Sequence, residues 1–502
     1  MPHIFHRPLR ASAALGHGLG LMACALLFWA LALAPSHAAE PLQACRVPGF
    51  HSEVQCGVVQ RALDPSQPAG TQIAVHYVVV PALARRKLPD PVFFLAGGPG
   101  QSAVRLAPML VQQMGRLNNR RDLVFVDQRG TGKSAPLMCD EDRHATLAQL
   151  LDRKRRDLLL RQCLAQLQKL PYGDLRFFTT TLAMQDVDAV RQALGAPRIN
   201  LVGASYGTRA ALEYMRAFPQ AVRRSVIDGV APPDMVLPAS ASTDNQAAFD
   251  SLLAACEQDA ICARTYPRLR ADWSRLLASL PKAAKLTHPL TGLAEQLTLT
   301  REMLLGGVRP PLYSPLTSSA LPQAISEAAQ GRYDALLGLD SGFEARGANR
   351  MAEGMHFSVV CAEDMPRLAA RVPRPGRDFG TEFSQTYADA CSYWPRGSVP
   401  PAFYSIPVST APVLVLSGGL DPVTPPRHGA RVAQALGPLA QQVVVPNAGH
   451  GVMNLGCMGD VLFRFIDAAA DASSLKVDAS CAVRIPRPPV FVPVARAERG
   501  AP

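Results

Sequence analysis

Three short stretches of this sequence carry side chains that together could perform nucleophilic catalysis. Ser205 lies in Gly-Ala-Ser-Tyr-Gly, between the apolar run INLV and a helix-like run. Asp421 follows VLVLSGGL, and His450 follows VVVPNAG. A serine hydroxyl is a weak nucleophile that needs a base, and the base needs a carboxylate to orient it. The sequence therefore predicts an acyl-transfer site in which Ser205 attacks, His450 is the base and Asp421 orients the base.

The glycines around the serine predict a sharp turn between a strand and a helix, which exposes the hydroxyl. The chain order serine, acid, histidine is the order found in α/β-hydrolases. Asp228, at the end of the strand-like stretch RRSVID, is the alternative acid. Its position is also compatible with a site at the carboxyl ends of the strands.

A tetrahedral oxyanion also needs backbone N–H donors. Tyr206, directly after the nucleophile, is predicted to supply one of them. The second is expected from the Gly-rich stretch LAGGPGQSA, which follows an earlier strand. Because Pro99 has no N–H, Gly98 is the preferred donor in this stretch and Gly97 is the alternative.

The elements that must position these residues alternate between strands and helices. The stretches at 72–80, 91–98, 122–130, 199–205 and 223–230 are typical of strands, several of them continuously apolar. The stretch 182–195 has helical spacing and ends in a glycine. Further strands are predicted at 411–419 and 441–450. This pattern indicates an α/β fold with a mostly parallel sheet.

The strand pattern stops after about residue 235 and returns near residue 400, which indicates an insertion. The predicted hydrolase core comprises 39–235 and 401–482, and the insertion at 236–400 is expected to form a helical cap. Residues 483–502, rich in proline, are predicted to form an extended tail.

The N-terminus predicts export. Arginines without acidic residues precede an apolar run at 19–34, and Ser36-His37-Ala38 resembles a signal-peptidase site. Residues 1–38 are therefore predicted to be a signal peptide, the alternative being an uncleaved membrane anchor. After cleavage we expect a periplasmic or secreted protein without stable membrane association.

The cysteines agree with export. Of 11 cysteines, Cys24 lies in the predicted signal peptide, which leaves ten. An even number in an exported chain indicates disulfides. Pairing in sequence order is the simplest arrangement, although the connectivity stays open at this point. The pairs in that order are Cys45 with Cys56, Cys139 with Cys163, Cys256 with Cys262, Cys361 with Cys391, and Cys457 with Cys481.

Other functional classes have little support. The formal net charge is +11, but the basic residues are scattered, which favours a solvated surface over a nucleic-acid site. RGTGKSAP at 129–136 has Asp127 where a phosphate-binding loop needs glycine. The sequence contains neither C-x-x-C nor H-E-x-x-H, so no metal and no cofactor are predicted.

The motifs GGPGQS, DQRGTGKS, GASYGTR, GGLDPVTP and AGHG occur in this order between about residues 88 and 482. Together they resemble the secreted tripeptidyl aminopeptidase branch of the proline iminopeptidase-like serine peptidases. The resemblance implies an α/β-hydrolase core with a helical cap, and release of short peptides or single residues from free N-termini. It assigns nucleophile, acid and base to Ser205, Asp421 and His450. The family has paired cysteines, and in this chain the pairs Cys361 with Cys391 and Cys457 with Cys481 resemble them.

The chain departs from the family pattern at two places. Ala96 stands where the proline iminopeptidases usually have histidine, and LYSPLTSSAL lacks a tryptophan that often follows LY-x-P. Recognition of a free α-amine calls for carboxylates near the site. Glu363 and Asp364, in SVVCAEDMP, resemble acidic cap segments of the family and are expected to bind the amine. Their alternative roles are to begin a helix or to face solvent.

We thus expect a peptide substrate. An esterase that uses the same triad is the main competing function. A catalytically inactive hydrolase fold that serves as a binding module is the competing function of another class. The oligomeric state stays open.

Overall fold

A nine-stranded sheet forms the centre of the fold in a computed structural model, which describes residues 41–140, 145–289, 291–344, 350–370 and 374–493. The predicted signal peptide, 1–38, and residues 494–502 of the predicted tail lie outside this part. The strands are β1 (Gln43–Cys45), β2 (Val54–Ala62), β3 (Gln72–Val80), β4 (Val92–Leu95), β5 (Leu123–Val126), β6 (Ile199–Ala204), β7 (Val222–Asp228), β8 (Lys282–Thr287), β9 (Ala294–Leu299), β10 (Val413–Gly418) and β11 (Ala440–Val445).

The order of the large sheet is β1-β2-β3-β5-β4-β6-β7-β10-β11. Its six strands from β5 to β11 are parallel, whereas β1, β2 and β3 add an antiparallel edge. Each strand predicted from the sequence is present, and the predicted fold class is confirmed. Strands β1 and β2 were not predicted from the sequence. Gly57 weakens the strand pattern of β2, and a methyl group there would lie 2.2 Å from the ring of Tyr77.

Helices cover both faces of the sheet and form the insertion. They are α1 (Ala103–Gln113), α2 (Gly115–Asn118), α3 (Leu147–Leu151), α4 (Arg153–Leu167), α5 (Thr180–Ala193), α6 (Tyr206–Ala217), α7 (Leu237–Gln258), α8 (Ala260–Thr265), α9 (Leu269–Ala278), α10 (Arg301–Val308), α11 (Pro315–Ser318), α12 (Leu321–Ala328), α13 (Asp334–Glu344), α14 (Glu353–Glu363), α15 (Glu382–Tyr393), α16 (Pro426–Leu436), α17 (Met458–Asp467) and α18 (Asp471–Ser474). Short 3₁₀ turns occupy Leu175–Phe177, Pro219–Ala221, Pro310–Tyr313, Met365–Ala370, Pro401–Tyr404 and Ser480–Arg484.

The parallel strands are buried on both faces, which explains why they read as continuous apolar runs. In β4, Phe93 and Leu95 belong to one core cluster with residues of α5 and α6. Val92 and Phe94, pointing the other way, pack in a second cluster with residues of α1 and α17. Alternate side chains of one strand thus hold helices on opposite sides of the sheet.

The insertion has a core of its own around Phe249 and Trp273, whose ring centroids lie 4.8 Å apart. Helices make up most of its regular structure, and it also contains the antiparallel hairpin β8–β9, which was not predicted from the sequence. The described part of the tail, from Ile485 onwards, contains no helix or strand. No helix in the described ranges has the length and apolar character needed to cross a bilayer.

Five disulfides connect the cysteines in sequence order. They are Cys45–Cys56, Cys139–Cys163, Cys256–Cys262, Cys361–Cys391 and Cys457–Cys481. The third lies within the insertion, and the fourth ties α14 to α15. The fifth fastens the start of the C-terminal segment beside α17.

The stretch DQRG at 127–130 forms a buried turn. It overlaps RGTGKSAP, which lacks a glycine that a phosphate-binding loop needs. Asp127 accepts hydrogen bonds from the Ser102 hydroxyl, at 2.6 Å, and from the N–H of Lys133, at 3.2 Å. The Arg129 guanidinium donates to both carboxylate oxygens of Asp186, at 2.7 and 2.9 Å, and both side chains are fully buried. This ion pair joins the turn to α5, next to the loop that follows β4.

We predict that Asp186→Ala lowers the free energy of unfolding by about 3–5 kcal/mol, because it leaves the buried Arg129 without its counter-charge. Glu257→Ala, which breaks an exposed pair with Arg270, is the control and should cost less than about 1 kcal/mol. Urea unfolding with the disulfides intact measures both. Equal losses in the two variants would contradict this assignment.

Candidate active site

Ser205 occupies a strained turn between β6 and α6. Its backbone has φ 55° and ψ −124°, and Ala135 is the other non-glycine residue with positive φ in the described part of the chain. Such a conformation costs about 1–3 kcal/mol and persists only where the surroundings impose it. Here the surroundings are tight: a methyl group at Gly203 would lie 2.4 Å from the carbonyl oxygen of Gly207, and one at Gly207 would lie 2.0 Å from that of Leu95. The predicted turn is therefore present, and both flanking glycines are sterically required.

Asp421 and His450 come together just beyond the neighbouring strands β10 and β11. Oδ2 of Asp421 lies 2.8 Å from Nδ1 of His450. The carboxylate is held by the N–H groups of Val423 and Thr424, at 2.9 and 2.8 Å, and by the Thr424 hydroxyl, at 2.7 Å. A buried, fully hydrogen-bonded carboxylate in this place fixes the orientation and tautomer of the imidazole.

The two groups shift each other's titration. Burial raises the pKa of Asp421, but the charge of His450 and the hydrogen bonds outweigh burial, so the pKa lies below its ordinary value. Burial lowers the pKa of His450, and the charge of Asp421 outweighs it, so that pKa lies above its ordinary value. Pairing with Asp421 therefore stabilises the imidazolium, which is the form that His450 takes when it accepts a proton as a general base.

Asp228, the alternative acid, is buried at the end of β7 and uses its carboxylate differently. Its Oδ2 accepts the N–H groups of Val452 and Met453, at 2.7 and 2.8 Å. The imidazole Nδ1 faces Asp421 instead. The structure thus brings Asp421, and not Asp228, into hydrogen-bond contact with His450.

The Gly-rich loop after β4 lies directly against the nucleophile. A methyl group at Gly97 would come within 3.1 Å of the Cβ of Ser205, whereas one at Gly98 would meet the N–H groups of the loop itself. The backbone at Gly97 thus leaves room for Ser205, and the oxyanion donor, Gly98 or the alternative Gly97, remains a prediction. Tyr206 is the first residue of α6, where N–H groups lack acceptors within the helix. Its phenol is buried and lies 2.7 Å from the hydroxyl of Thr180.

Two further residues at the site were missed by the sequence analysis. Thr424 contacts both Asp421, at 2.7 Å, and Nδ1 of His450, at 3.1 Å. Tyr313, from the insertion, packs its ring edge-on to the imidazole with centroids 5.2 Å apart, and its carbonyl accepts the N–H of His450 at 2.8 Å. Thr424 lies in the motif GGLDPVTP and Tyr313 in the motif LY-x-P. The motifs alone do not show these contacts, because the contacts depend on the tertiary fold.

Comparison with known proteins identifies the family. The family model for the alpha/beta hydrolase fold matches residues 90–454, most of the chain. The chain belongs to the alpha/beta hydrolase fold family. The hydrolase is 26% identical to Serine protease Hip1 of Mycobacterium tuberculosis over 420 residues, covering 76% of this chain and 79% of the relative. It is 29% identical to Tripeptidyl aminopeptidase of Streptomyces lividans over 192 residues, 36% of each chain.

A third relative carries a different name. Carboxylesterase B of Mycobacterium tuberculosis is 28% identical over 467 residues, which cover 84% of this hydrolase and 86% of the relative. The resemblance read from the short motifs is confirmed, and the hydrolase is an enzyme of the serine hydrolase class.

The predicted amine-binding acids of the hydrolase have partners inside the protein. Both oxygens of Asp364 accept from the buried Arg209 guanidinium, at 3.0 and 3.1 Å, and the N–H of Leu237 adds a third hydrogen bond. Glu363 accepts the N–H and the hydroxyl of Thr180, at 2.7 and 2.9 Å. Burial raises the pKa of Glu363 to about 7. These contacts join the insertion to α5 and α6, and both carboxylates are occupied by partners within the protein. Binding of a substrate amine by Glu363 and Asp364 stays a prediction.

We predict that Asp421→Asn lowers kcat/KM by about 10³- to 10⁴-fold, because the imidazolium loses its counter-charge and its orienting acceptor. His450 must be neutral to act as base, so the rate falls as the pH drops through its pKa, which lies above about 6.5 in the wild type. The variant should move this acidic midpoint to lower pH. A pH profile of kcat/KM measures both changes, and an unchanged midpoint would contradict the pairing.

A second prediction concerns Glu363. Glu363→Gln should leave KM for a free-amine peptide substrate within about twofold, and should instead change stability. Because the folded-state pKa of Glu363 is raised, the folded protein binds this proton more tightly, and its contribution to stability falls as the pH rises from about 4.5 to about 7. Thermal unfolding between pH 4.5 and 8 should therefore be less pH-dependent in the variant. A tenfold higher KM at unchanged stability would instead support amine binding.

Proposed function

We propose that this hydrolase is an exported serine aminopeptidase that releases short peptides or single residues from free N-termini. The observation that carries the proposal is the His450–Asp421 pair, 2.8 Å apart, at the same sheet edge as the strained Ser205. The relatives named serine protease and tripeptidyl aminopeptidase support the choice of peptide substrates.

The reaction follows from the roles of the side chains. Ser205 attacks the carbonyl carbon while His450 takes the hydroxyl proton, and the oxyanion is held by the N–H of Tyr206 and by that of Gly98 or Gly97. His450 then gives its proton to the leaving amine, and the acyl-enzyme remains. A water molecule, deprotonated by His450, attacks this ester and releases the peptide and Ser205. Asp421 stabilises the imidazolium at each step.

Contacts between insertion and core support an exopeptidase. Tyr313 packs against His450, and Ala352 donates its N–H to the carbonyl of Gly100 at 2.9 Å. The insertion thus touches the loops on both sides of the nucleophile. A site covered in this way accepts a chain end more readily than the middle of a folded chain.

Export is supported by the five disulfides, because such bonds persist in oxidising compartments. We infer that the mature protein acts in the periplasm or outside the cell.

An esterase is the second candidate, and one observation favours it. The relative named Carboxylesterase B aligns with more of this chain than the relatives with peptidase names. Because the same triad cleaves esters and amides, a comparison of ester and amide substrates is needed to distinguish the two functions.

We predict that the purified mature enzyme cleaves free-amine aminoacyl or tripeptidyl amides and that Ser205→Ala lowers the rate at least about 10⁴-fold. The panel pairs each free-amine substrate with its N-acetylated form and includes a simple aryl ester, with chromogenic release as the readout. N-acetylation should abolish cleavage, because an exopeptidase selects the charged amine.

Three results on this panel would contradict parts of the proposal. Cleavage of the ester alone would replace the peptidase by the esterase. Equal rates on free and acetylated amides would contradict the exopeptidase, and activity retained in Ser205→Ala would contradict the nucleophile.

A further inference from the structure

Asp228 connects the nucleophile to the catalytic histidine. Its main-chain carbonyl accepts the N–H of Ser205 at 2.9 Å. Its side-chain Oδ2 accepts the N–H groups of Val452 and Met453, at 2.7 and 2.8 Å, two and three residues after His450. One residue at the end of β7 thus holds the strand before the nucleophile and the loop that carries the base.

The second carboxylate oxygen of Asp228 is the unusual feature. Asp228 is 1% exposed, and its Oδ1 has no hydrogen-bond partner among the described residues. A buried carboxylate oxygen without a donor is costly, so it calls for a compensating interaction. Burial raises the pKa of Asp228, whereas its two N–H donors and the positive charge of His450 act to lower it, so a protonated His450 favours the charged carboxylate.

The backbone next to Asp228 lies against the imidazole. A methyl group at Gly229 would come 3.1 Å from Cε1 and 3.3 Å from Nδ1 of His450. Glycine at this position therefore lets the end of β7 approach the ring on the side where Asp421 also binds. The imidazolium that forms during acyl transfer would then lie near two buried carboxylates, those of Asp421 and Asp228.

We propose that Asp228 is a positioning residue that holds the His450 loop against the nucleophile strand and adds a second negative charge beside the imidazolium. The inference rests on the proposed function, since it assigns Asp228 to the same acyl transfer. It differs from the alternative acid considered from the sequence, because Asp421 keeps the hydrogen bond to Nδ1.

A merely structural role for Asp228 would affect stability but not the titration of the base. The titratable groups that face His450 are Asp421 from the loop after β10, Asp228 from β7 and Tyr313 from the insertion. His450 and Asp421 face Asp228 in turn. Removing the Asp228 charge should therefore lower the pKa of His450, because a negative charge favours the protonated ring.

The experiment compares pH profiles of kcat/KM for the wild type, Asp228→Asn, Asp421→Asn and the double variant, on the substrate that wild type cleaves best. Asparagine keeps an oxygen that can accept the N–H groups of Val452 and Met453 but removes the charge. Asp90→Asn is the matched control: this buried aspartate precedes β4 and lies at the opposite end of the strands, bound to Arg121 at 2.9 Å.

We expect Asp228→Asn to lower kcat about tenfold and to move the acidic midpoint down by about one pH unit. Asp90→Asn should leave the midpoint unchanged. The residual activity of Asp421→Asn should fall at least about fivefold further in the double variant, because Asp228 is then the remaining charge beside the ring.

An unchanged midpoint in folded Asp228→Asn, or equal rates for Asp421→Asn and the double variant, would overturn the inference alone. Activity that survives Ser205→Ala would overturn the proposed function and this inference with it. If Asp228→Asn does not fold, Asp228→Ser takes its place, because a hydroxyl can still form hydrogen bonds without carrying charge. The acidic midpoint of the pH profile of Asp228→Ser then tests the inference in the same way.

Discussion

The close approach of helix α6 to strand β4 is the constraint on which the site depends. Gly207 lies so near the Leu95 carbonyl that a methyl group there would come within 2.0 Å, and Gly203 allows no side chain because of Gly207 itself. With no room to relax, Ser205 stays in its left-handed conformation. The strain, about 1–3 kcal/mol, is offset by the buried sheet and helices on either side. The position of the half-buried serine at the sheet edge is thus a consequence of packing.

The parallel sheet brings the other groups to the same edge. Strands β6, β7, β10 and β11 are neighbours in that order, so the loops at their carboxyl ends meet. Asp228 ends β7, and Ser205, Asp421 and His450 follow β6, β10 and β11. The insertion separates β7 from β10 along the chain but not in space. It therefore adds a cover to the site without disturbing the sheet.

Much of this arrangement could be predicted from local patterns. The buried parallel strands are apolar throughout, and the turn of Ser205 needs glycines at fixed offsets, so both leave a clear signal. Strand β2, which lies between β1 and β3, and the two-stranded hairpin β8–β9 left no clear signal, because such antiparallel strands depend on packing against their partners. The contacts of the acidic residues and of the Gly-rich loop were harder to predict than the strands. Nothing local shows that Asp364 faces the buried Arg209, or that a side chain at Gly97 would meet Ser205, since both depend on contacts between distant segments.

The proposed mechanism requires that His450 activates Ser205. The most direct measurement is covalent labelling with a fluorophosphonate at neutral pH, followed by mass spectrometry of the intact protein and its peptides. We expect a single adduct, on Ser205, and labelling at least about 10³-fold slower in His450→Ala. An adduct on another residue, or equal labelling without His450, would contradict the proposed mechanism.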